Sequence, residues 1–379
     1  MSEVALTAKI QLLPNPEGSL LLLQTMAAYT DACNAVSEYI FNTHNLKQSS
    51  VNRQMYYRLR DVFGLRSQMA QSVIKTVIAR YRSIVSNGHP WVLASFERLQ
   101  YDLVWNRDYS LKAERFSVNT LHGRIQLGFC KQGLEKYFDS SIYRFGTAKL
   151  VCKKDKFFLH ISVSQEIADC EDFQICNVVG VDRGINFIIA TYDSRGKSGF
   201  VSGRAIKDRR THYAKLRKEL QSCQTASARR RLKAIGQREN RWMQNVNHCI
   251  SKALVESQPE GTLFVLENLK GVRHATERVR VKDRYVSVSW AFDDLAQKIV
   301  YKAKLHHSKV IFVPPAYTSQ TCPKCGHTEK MNRDKRNHVF CCRNCHYSSN
   351  DDRIGAMNLY RIGINYLSNI CNKDADAHE

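Results

Sequence analysis

Two cysteine pairs near the C-terminal end restrict the fold of this chain more than any other feature. "CPKCGH" and "CCRNCH" place Cys322 and Cys325 ahead of Cys342 and Cys345, with sixteen residues between the pairs. Each CxxC turn presents two thiolates, and two such turns complete a closed tetrahedron of the kind that holds structural zinc. A closed tetrahedron leaves no open position for a substrate, so this Zn²⁺ is expected to hold the chain together rather than carry chemistry. Cys341 adjoins the second pair, but Cys342 keeps the CxxC spacing and is the ligand chosen. The plainer alternative is a set of reduced or redox-active thiols. Most of the other cysteines stand alone (Cys33, Cys130, Cys152, Cys223, Cys249), as reduced thiols do in a cytosol-like compartment.

The 379 residues leave room for two or three domains and a substantial core. A formal net charge of +22 attracts polyanions, of which nucleic acid is the commonest for a basic protein. No apolar run approaches the roughly 18 residues needed to span a bilayer, and no amphipathic anchor stands out. The opening "MSEVALTAKIQLLP" lacks the basic flank and apolar stretch of a signal peptide. No membrane partner is therefore expected, and the location is expected to be cytoplasmic.

Along the chain, Val4, Leu6, Ala8, Ile10 and Leu12 alternate with polar residues, a strand signal that stops at "PNPEG". From about 17 to 86 the pattern is helical: Met69, Val73 and Val77 recur at i, i+4 and i+8, with Gln68, Gln71, Ser72 and Lys75 on another face. Residues 94–168 read as short strands, so a small β-barrel interrupted by a helical insert is expected. A new unit opens at "ICNVVGVDRGINFIIATYD", whose apolar run Val178, Val179, Val181 marks a strand buried on both faces. Helices and buried strands then alternate through "GTLFVLENLKG", "SVSWAFDDLAQKIVYKAKLHH" and "SKVIFVPP", which indicates an α/β layer. In the last helix Ile354, Met357, Ile364 and Leu367 suggest a buried stripe, and "NKDADAHE" reads as a tail.

Asp182 ends the buried strand "VVGVD", Glu267 ends "LFVLE", and Asp351 and Asp352 open the last helix. A carboxylate at the end of a buried strand needs a partner or a metal, because an unpaired buried charge is very costly. Three carboxylates meeting at one sheet edge would repel one another, and divalent cations remove that repulsion. Mg²⁺ prefers oxygen ligands and keeps waters, leaving room for a phosphate. Two such ions about 4 Å apart can hydrolyse a phosphodiester. Taken singly, each acid has an ordinary reading as a turn, cap or helix-start residue. Together, in a basic chain, they favour a nuclease site.

"GVDRGI", "LFVLENLKG", "YTSQTCPKCGH" and "SNDDRIGAMNLY", in that order, resemble the RuvC-like nuclease of the TnpB family. These are transposon-encoded, RNA-guided endonucleases related to the type V CRISPR effectors. The resemblance is close over about 176–367 and weaker before that. It implies an α/β RNase H-like (RuvC) nuclease domain, 171–316 and 350–370, with an inserted zinc ribbon, 317–349, and a tail, 371–379. It also implies a preceding β-barrel wedge domain, 1–16 and 87–170, split by a helical recognition insert, 17–86. Carried over, Asp182, Glu267 and Asp352 match the three catalytic carboxylates that hold two Mg²⁺, for which Mn²⁺ can substitute. Cys322, Cys325, Cys342 and Cys345 match the zinc ribbon. Asp352 is chosen over Asp351 because the family places an aspartate six residues before an asparagine, here Asn358. Many relatives have "DxNAAxN" where this chain has "DRIGAMN".

The implied partners are a guide RNA, transposon-end-derived or of CRISPR type, and double-stranded target DNA with a short adjacent motif. A monomer close to the nucleoid of a prokaryote is expected. An RNA-guided enzyme grips its heteroduplex by shape and phosphate charge. From Arg204 to Arg241 thirteen Lys and Arg face three acids, and Lys207, Arg209, Arg210, Arg217, Lys218, Arg229, Arg230 and Arg231 are the candidates for that contact. A solvated charged face is the alternative. For the adjacent motif, Gln68, Gln71 and Lys75 offer a polar stripe, since Gln can read adenine edges. Competing readings are a guided DNA-binding repressor without cleavage, a transposase acting on transposon ends, and a zinc-ribbon adaptor. An intact Asp182, Glu267 and Asp352 set argues against the first, and the last leaves the strand-end acids unexplained.

Overall fold

The alternating N-terminal residues form strand β1 (Ser2–Leu13), with Val4, Ala8, Ile10 and Leu12 buried. The computed structural model describes residues 1–376 apart from 113, 133, 270–291 and 335. It divides the chain into two units: Glu3–Glu166, and Ile167 onward together with Met1–Ser2.

In the first unit "PNPEG" turns β1 into helix α1 (Pro16–Thr43), whose amide at Gly18 is capped by Asn15 Oδ1 at 2.8 Å. Helices α2 (Gln48–Asp61) and α3 (Ser67–Ser86) follow. Then come strands β2 (Gln100–Leu103), β3 (Tyr109–Lys112), β4 (Arg115–Thr120), β5 (Gly123–Phe129), β6 (Arg144–Lys153) and β7 (Lys156–Ile167). The seven strands form one sheet in the order β2-β6-β7-β1-β5-β4-β3. Tyr109 on β3 donates to the Gly146 carbonyl on β6 at 2.7 Å, and Tyr101 on β2 to the Asn119 carbonyl on β4 at 3.0 Å. The sheet therefore curls until side chains tie its two ends. On α3, Met69, Val73 and Val77 are fully buried, and so is most of Ser72, which removes it from the polar face expected for it.

The second unit is built on a five-stranded sheet of order β10-β9-β8-β11-β12. Its strands are β8 (Asn177–Asp182), β9 (Phe187–Asp193), β10 (Ser198–Ser202), β11 (Thr262–Glu267) and β12 (Lys309–Val313). β8, β9 and β10 are antiparallel neighbours, whereas β11 runs parallel to both β8 and β12. Strands buried on both faces show no alternation, because each face has its own cover. Val179, Val181, Phe264 and Leu266 pack under helices α4 (Arg204–Ser222), α5 (Ala226–Glu256) and α6 (Phe292–Leu305). Val178, Leu263 and Val265 pack under the last helix, α7 (Asp351–Asp376). The start expected for α6, 287–291, lies outside the described residues. Between β12 and α7, strands β13 (Arg333–Asp334), β14 (Val339–Cys341) and β15 (Ser348–Asn350) make a small antiparallel sheet.

Two expectations for α7 need correction. Its helix runs through Asp376, so the supposed tail from 371 is helical that far, and 377–379 lie outside the described residues. Ile364 is exposed, because the residues that meet the sheet are the small ones Gly355, Ala356 and Gly363 together with Leu359. A Cβ built on Gly180 of β8 would lie 2.0 Å from the Ala356 carbonyl oxygen, and one on Gly363 would lie 2.6 Å from Val178 Cγ1. Absent side chains let helix and strand backbones touch. Among the described residues no helix is long and apolar enough to cross a membrane.

Candidate active site

Strand register brings the first two acids together. Val181 of β8 pairs with Leu266 of β11 in parallel, so Asp182 and Glu267 leave the sheet at the same edge. Helix α7 supplies the third. A Cβ on Gly355 would lie 2.8 Å from Asp182 Oδ2, which places the Asp182 carboxylate against the first turns of α7. Asp352 in that first turn is buried and faces the loop after β8, where a Cβ on Gly184 would lie 3.8 Å from its Oδ1. Glycine at 355 in the "DRIGAMN" stretch thus leaves room for the Asp182 carboxylate.

The electrostatics match this crowding. Burial, and after it the charges of Glu267 and Asp352, hold the Asp182 carboxyl well above the usual carboxylate range. Burial also raises Glu267, offset in part by a hydrogen bond from Thr318 Oγ1 and by Arg183 and Arg333. Asp352 is raised by burial and by the charge of Asp351, offset by Arg333, His338 and Lys207.

The sequence reading missed several groups around these acids. Asn358 donates to the Thr318 and Thr321 carbonyls at 2.6 and 2.8 Å, fixing α7 to the segment whose Thr318 hydroxyl holds Glu267. The family spacing that selected Asn358 was the available signal for that contact. Arg333 lies with its Nη2 3.9 Å from Asp352 Oδ1, and its Nε donates to Asp351 Oδ2 at 2.8 Å. Nothing in "MNRDKRNHVF" separates this arginine from its basic neighbours. Arg183 is buried and donates to the Glu267 and Phe292 carbonyls, so it fastens the β11 end rather than facing solvent.

Cys322, Cys325, Cys342 and Cys345 converge, with all four sulfurs within 4.8 Å of one another. The Cys322–Cys345 and Cys325–Cys342 sulfurs are both 3.6 Å apart, close to the tetrahedron edge of about 3.8 Å implied by Zn–S bonds of about 2.3 Å. Backbone amides of Lys324 and Cys345 point at the Cys322 and Cys342 sulfurs at 3.4 and 3.5 Å. The donor set fits structural zinc. Cys341 is exposed and stands outside the group.

The basic residues of α4 and α5 divide into two sets. Arg210 is buried and sits 3.7 Å from the buried Glu239, which Arg217 also binds. Burial removes Arg210 from phosphate contact, and Arg217 is committed to the same carboxylate, so both tie α4 to α5. Arg209 lies over the Trp242 ring, 4.7 Å from its centroid. Lys218, Arg229, Arg230 and Arg231 are exposed. Lys207 is half-buried, donates to Asn186 Oδ1 and acts on Asp352, which puts it beside the acids. In the first unit Gln68 and Lys75 line a groove of about 450 Å³ with Thr7, Lys149 and His160. Gln68 accepts from Arg107 at 3.2 Å, and Gln71, half-buried, does not line that groove.

The fold is similar to that of solved Cas12 effectors. The chain superposes on the Cas12f1 of a Cas12f1–sgRNA–target DNA complex with a TM-score of 0.58 and 15% identity, covering 90% of this chain and 81% of that one. A family model described as "Probable transposase" matches residues 161–270, which hold Asp182 and Glu267, and one described as "Cas12f1-like, TNB domain" matches 292–359, which hold the four cysteines and Asp352. The chain is 27% identical over 270 residues to the CRISPR-associated endodeoxyribonuclease Cas12f1 of Syntrophomonas palmitatica, covering 67% of this chain and 47% of that one. It is 24% identical over 225 residues to a TnpB-like protein of Methanocaldococcus jannaschii, covering 57% and 78%. These matches bear out the resemblance to the TnpB family. The chain spans about half the length of the first Cas12f relatives it matches.

Proposed function

We propose that this chain is an RNA-guided DNA endonuclease that hydrolyses target DNA at a RuvC-like site made by Asp182, Glu267 and Asp352. The observation that carries the reading is the meeting of these three acids, from two parallel strand ends and a helix start, at one edge of the sheet. The relatives support it: one is an endodeoxyribonuclease, and a solved one of the same fold holds guide RNA and target DNA. On this reading 171–316 and 350–370 form the RuvC-like domain, 317–349 the zinc ribbon, 1–16 and 87–170 the wedge, and 17–86 the recognition insert.

The acids fit magnesium. Their oxygens are the ligands that Mg²⁺ prefers, and a dication would offset the charge that burial penalises in all three and that repulsion penalises in Asp182 and Asp352. Asp182, Glu267 and Asp352 would hold the ions, which would supply an activated water and stabilise the leaving oxygen. Asp182 feels the charge of both other acids, which supports its role as a ligand at the centre of the group. Thr318 orients Glu267, and Arg333 presents a guanidinium beside Asp352 for a phosphate oxygen. The exposed Lys218, Arg229, Arg230 and Arg231 contact the phosphates of guide or target, and the groove at Gln68 and Lys75 meets the adjacent motif.

A raised acid binds its proton more tightly in the folded state than in the unfolded state. The contribution of these three acids to stability without metal is therefore most favourable below the unfolded carboxylate range, about pH 4, and is lost as pH rises through their raised folded values. At neutral pH Mg²⁺ is expected to raise the melting temperature by several degrees, and Asp182→Asn to raise it without metal. Thermal melts with and without Mg²⁺ from pH 4 to 8 check this, and a melt that ignores Mg²⁺ at neutral pH counts against the site.

The deciding experiment is purification with RNA from the native locus, sequencing of what co-purifies, and assay with Mg²⁺ on a guide-matched plasmid library with randomised flanks. Guide-dependent, flank-selective cuts are expected. A second reading, strand transfer at transposon ends, is favoured by the "Probable transposase" match, and joined rather than hydrolysed products without RNA would establish it instead. Bound RNA with target binding and no cuts would make the chain a repressor.

A further inference from the structure

Asp351 and Asp352 are neighbours in sequence and differ in surroundings. Asp351 is fully buried, and its Oδ2 accepts from Arg333 Nε at 2.8 Å, with His338 Nδ1 3.6 Å away. Its Oδ1 is buried and has no hydrogen-bond partner among the described residues. Helix capping does not require it, since Asn350 Oδ1 already accepts from the amides of Asp352 and Arg353 at 3.1 Å each. A carboxylate buried this fully is costly without an opposite charge, and here that charge is the guanidinium. The other ends of Arg333 reach Ser319 Oγ at 3.0 Å and approach Asp352 Oδ1 at 3.9 Å.

We infer that Asp351 is a positioning residue: it holds the Arg333 guanidinium at the rim of the carboxylate site and cancels that cation's repulsion of metal ions. The inference rests on the two-metal reading above. Without Asp351, Arg333 is a bare cation beside Asp352 and competes with the metal for its carboxylate. With Asp351, the same guanidinium stays close enough to meet a phosphate while its charge is balanced from behind. Arg333 and His338 both come from the cysteine-bearing segment, so Asp351 is also where α7 grips that segment. His338 in turn meets Asn186, 3.2 Å from its Nδ1, and Asn186 accepts from Lys207. Asp351 thus anchors Arg333 and, by way of His338 and Asn186, a chain of contacts that reaches Lys207.

The test is Mn²⁺ binding to the purified full chain at neutral pH, followed by electron paramagnetic resonance without DNA, with zinc content as the check on folding. Asp351→Asn is expected to weaken Mn²⁺ binding about tenfold, the size of one partly screened charge at this range. Arg333→Ala is expected to bind Mn²⁺ at least as tightly as the parent chain. The double variant is expected to return to within about threefold of the parent, since the cation that Asp351 balances is gone. A role confined to helix structure predicts that the double variant stays as impaired as Asp351→Asn, and that result overturns the inference. Unchanged binding in Asp351→Asn overturns it as well. Should Asp351→Asn lose its zinc, Arg333→Ala decides alone, and weaker binding there overturns the inference. A parent chain that binds no Mn²⁺, or Asp182→Ala that binds it equally well, removes the two-metal reading and the inference with it.

Discussion

Asp182→Ala or Asp352→Ala is expected to lower guide-directed cleavage at least about a thousandfold, equivalent to about 4 kcal/mol of lost transition-state stabilisation. Each substitution removes a donor from a site that has no substitute donor in the same position. Asp182 is the larger loss, because both other acids act on it and it lies between β8 and the first turns of α7. Affinity for guide and target is expected to hold, since removing a negative charge from a phosphate-binding cleft does not weaken its attraction for nucleic acid. Single-turnover cleavage beside equilibrium binding separates the two effects. Cleavage that survives in both variants would mean that the cut is made elsewhere.

The second large effect concerns zinc. Cys322→Ser or Cys342→Ser, or chelation of the parent chain, is expected to release the metal and abolish cleavage. The four thiolates are the main support of a segment whose own core is Phe340 with Cys322, Cys342 and Ile354 of α7. Structural zinc contributes about 10–16 kcal/mol in small cysteine modules, more than so small a core supplies. Without it Arg333 leaves Asp352, and Thr318 and Asn358 lose the arrangement that holds Glu267. Metal analysis, cleavage and limited proteolysis on one sample check this, with new cuts expected between 318 and 350. The helices α4 and α5 are expected to survive, because their core with β8 and β11 excludes the segment. Full cleavage by zinc-free protein would show that the segment does not organise the site.

The sequence made some of this legible and hid the rest for physical reasons. The cysteine cluster could be read from its spacing, and the strand-end positions of Asp182 and Glu267 from the apolar runs before them. The curled first sheet followed from alternation, and the double burial of β8 and β11 from its absence. Helix α7 was misread along its length because the residues that meet the sheet are Gly355, Ala356 and Gly363, which an apolar-periodicity reading passes over. Arg210 was misread for the opposite reason. Its charge suggested solvent, but Glu239 on α5 lies opposite and takes it inside. Arg333 could not be found, because its role depends on a fold between β12 and α7 that only three-dimensional contact reveals.

The contact between Gly180 and the α7 backbone has a consequence for how such an enzyme would be turned on. Helix and strand are pressed together where no side chain intervenes, and a shift of α7 by one turn would drive larger side chains into the β8 backbone. That contact sets Asp352 against Asp182, whereas Glu267 depends on the cysteine-bearing segment through Thr318. On the proposed reading, control of cutting would act on access to Asp182 and Asp352 rather than on how those two face each other.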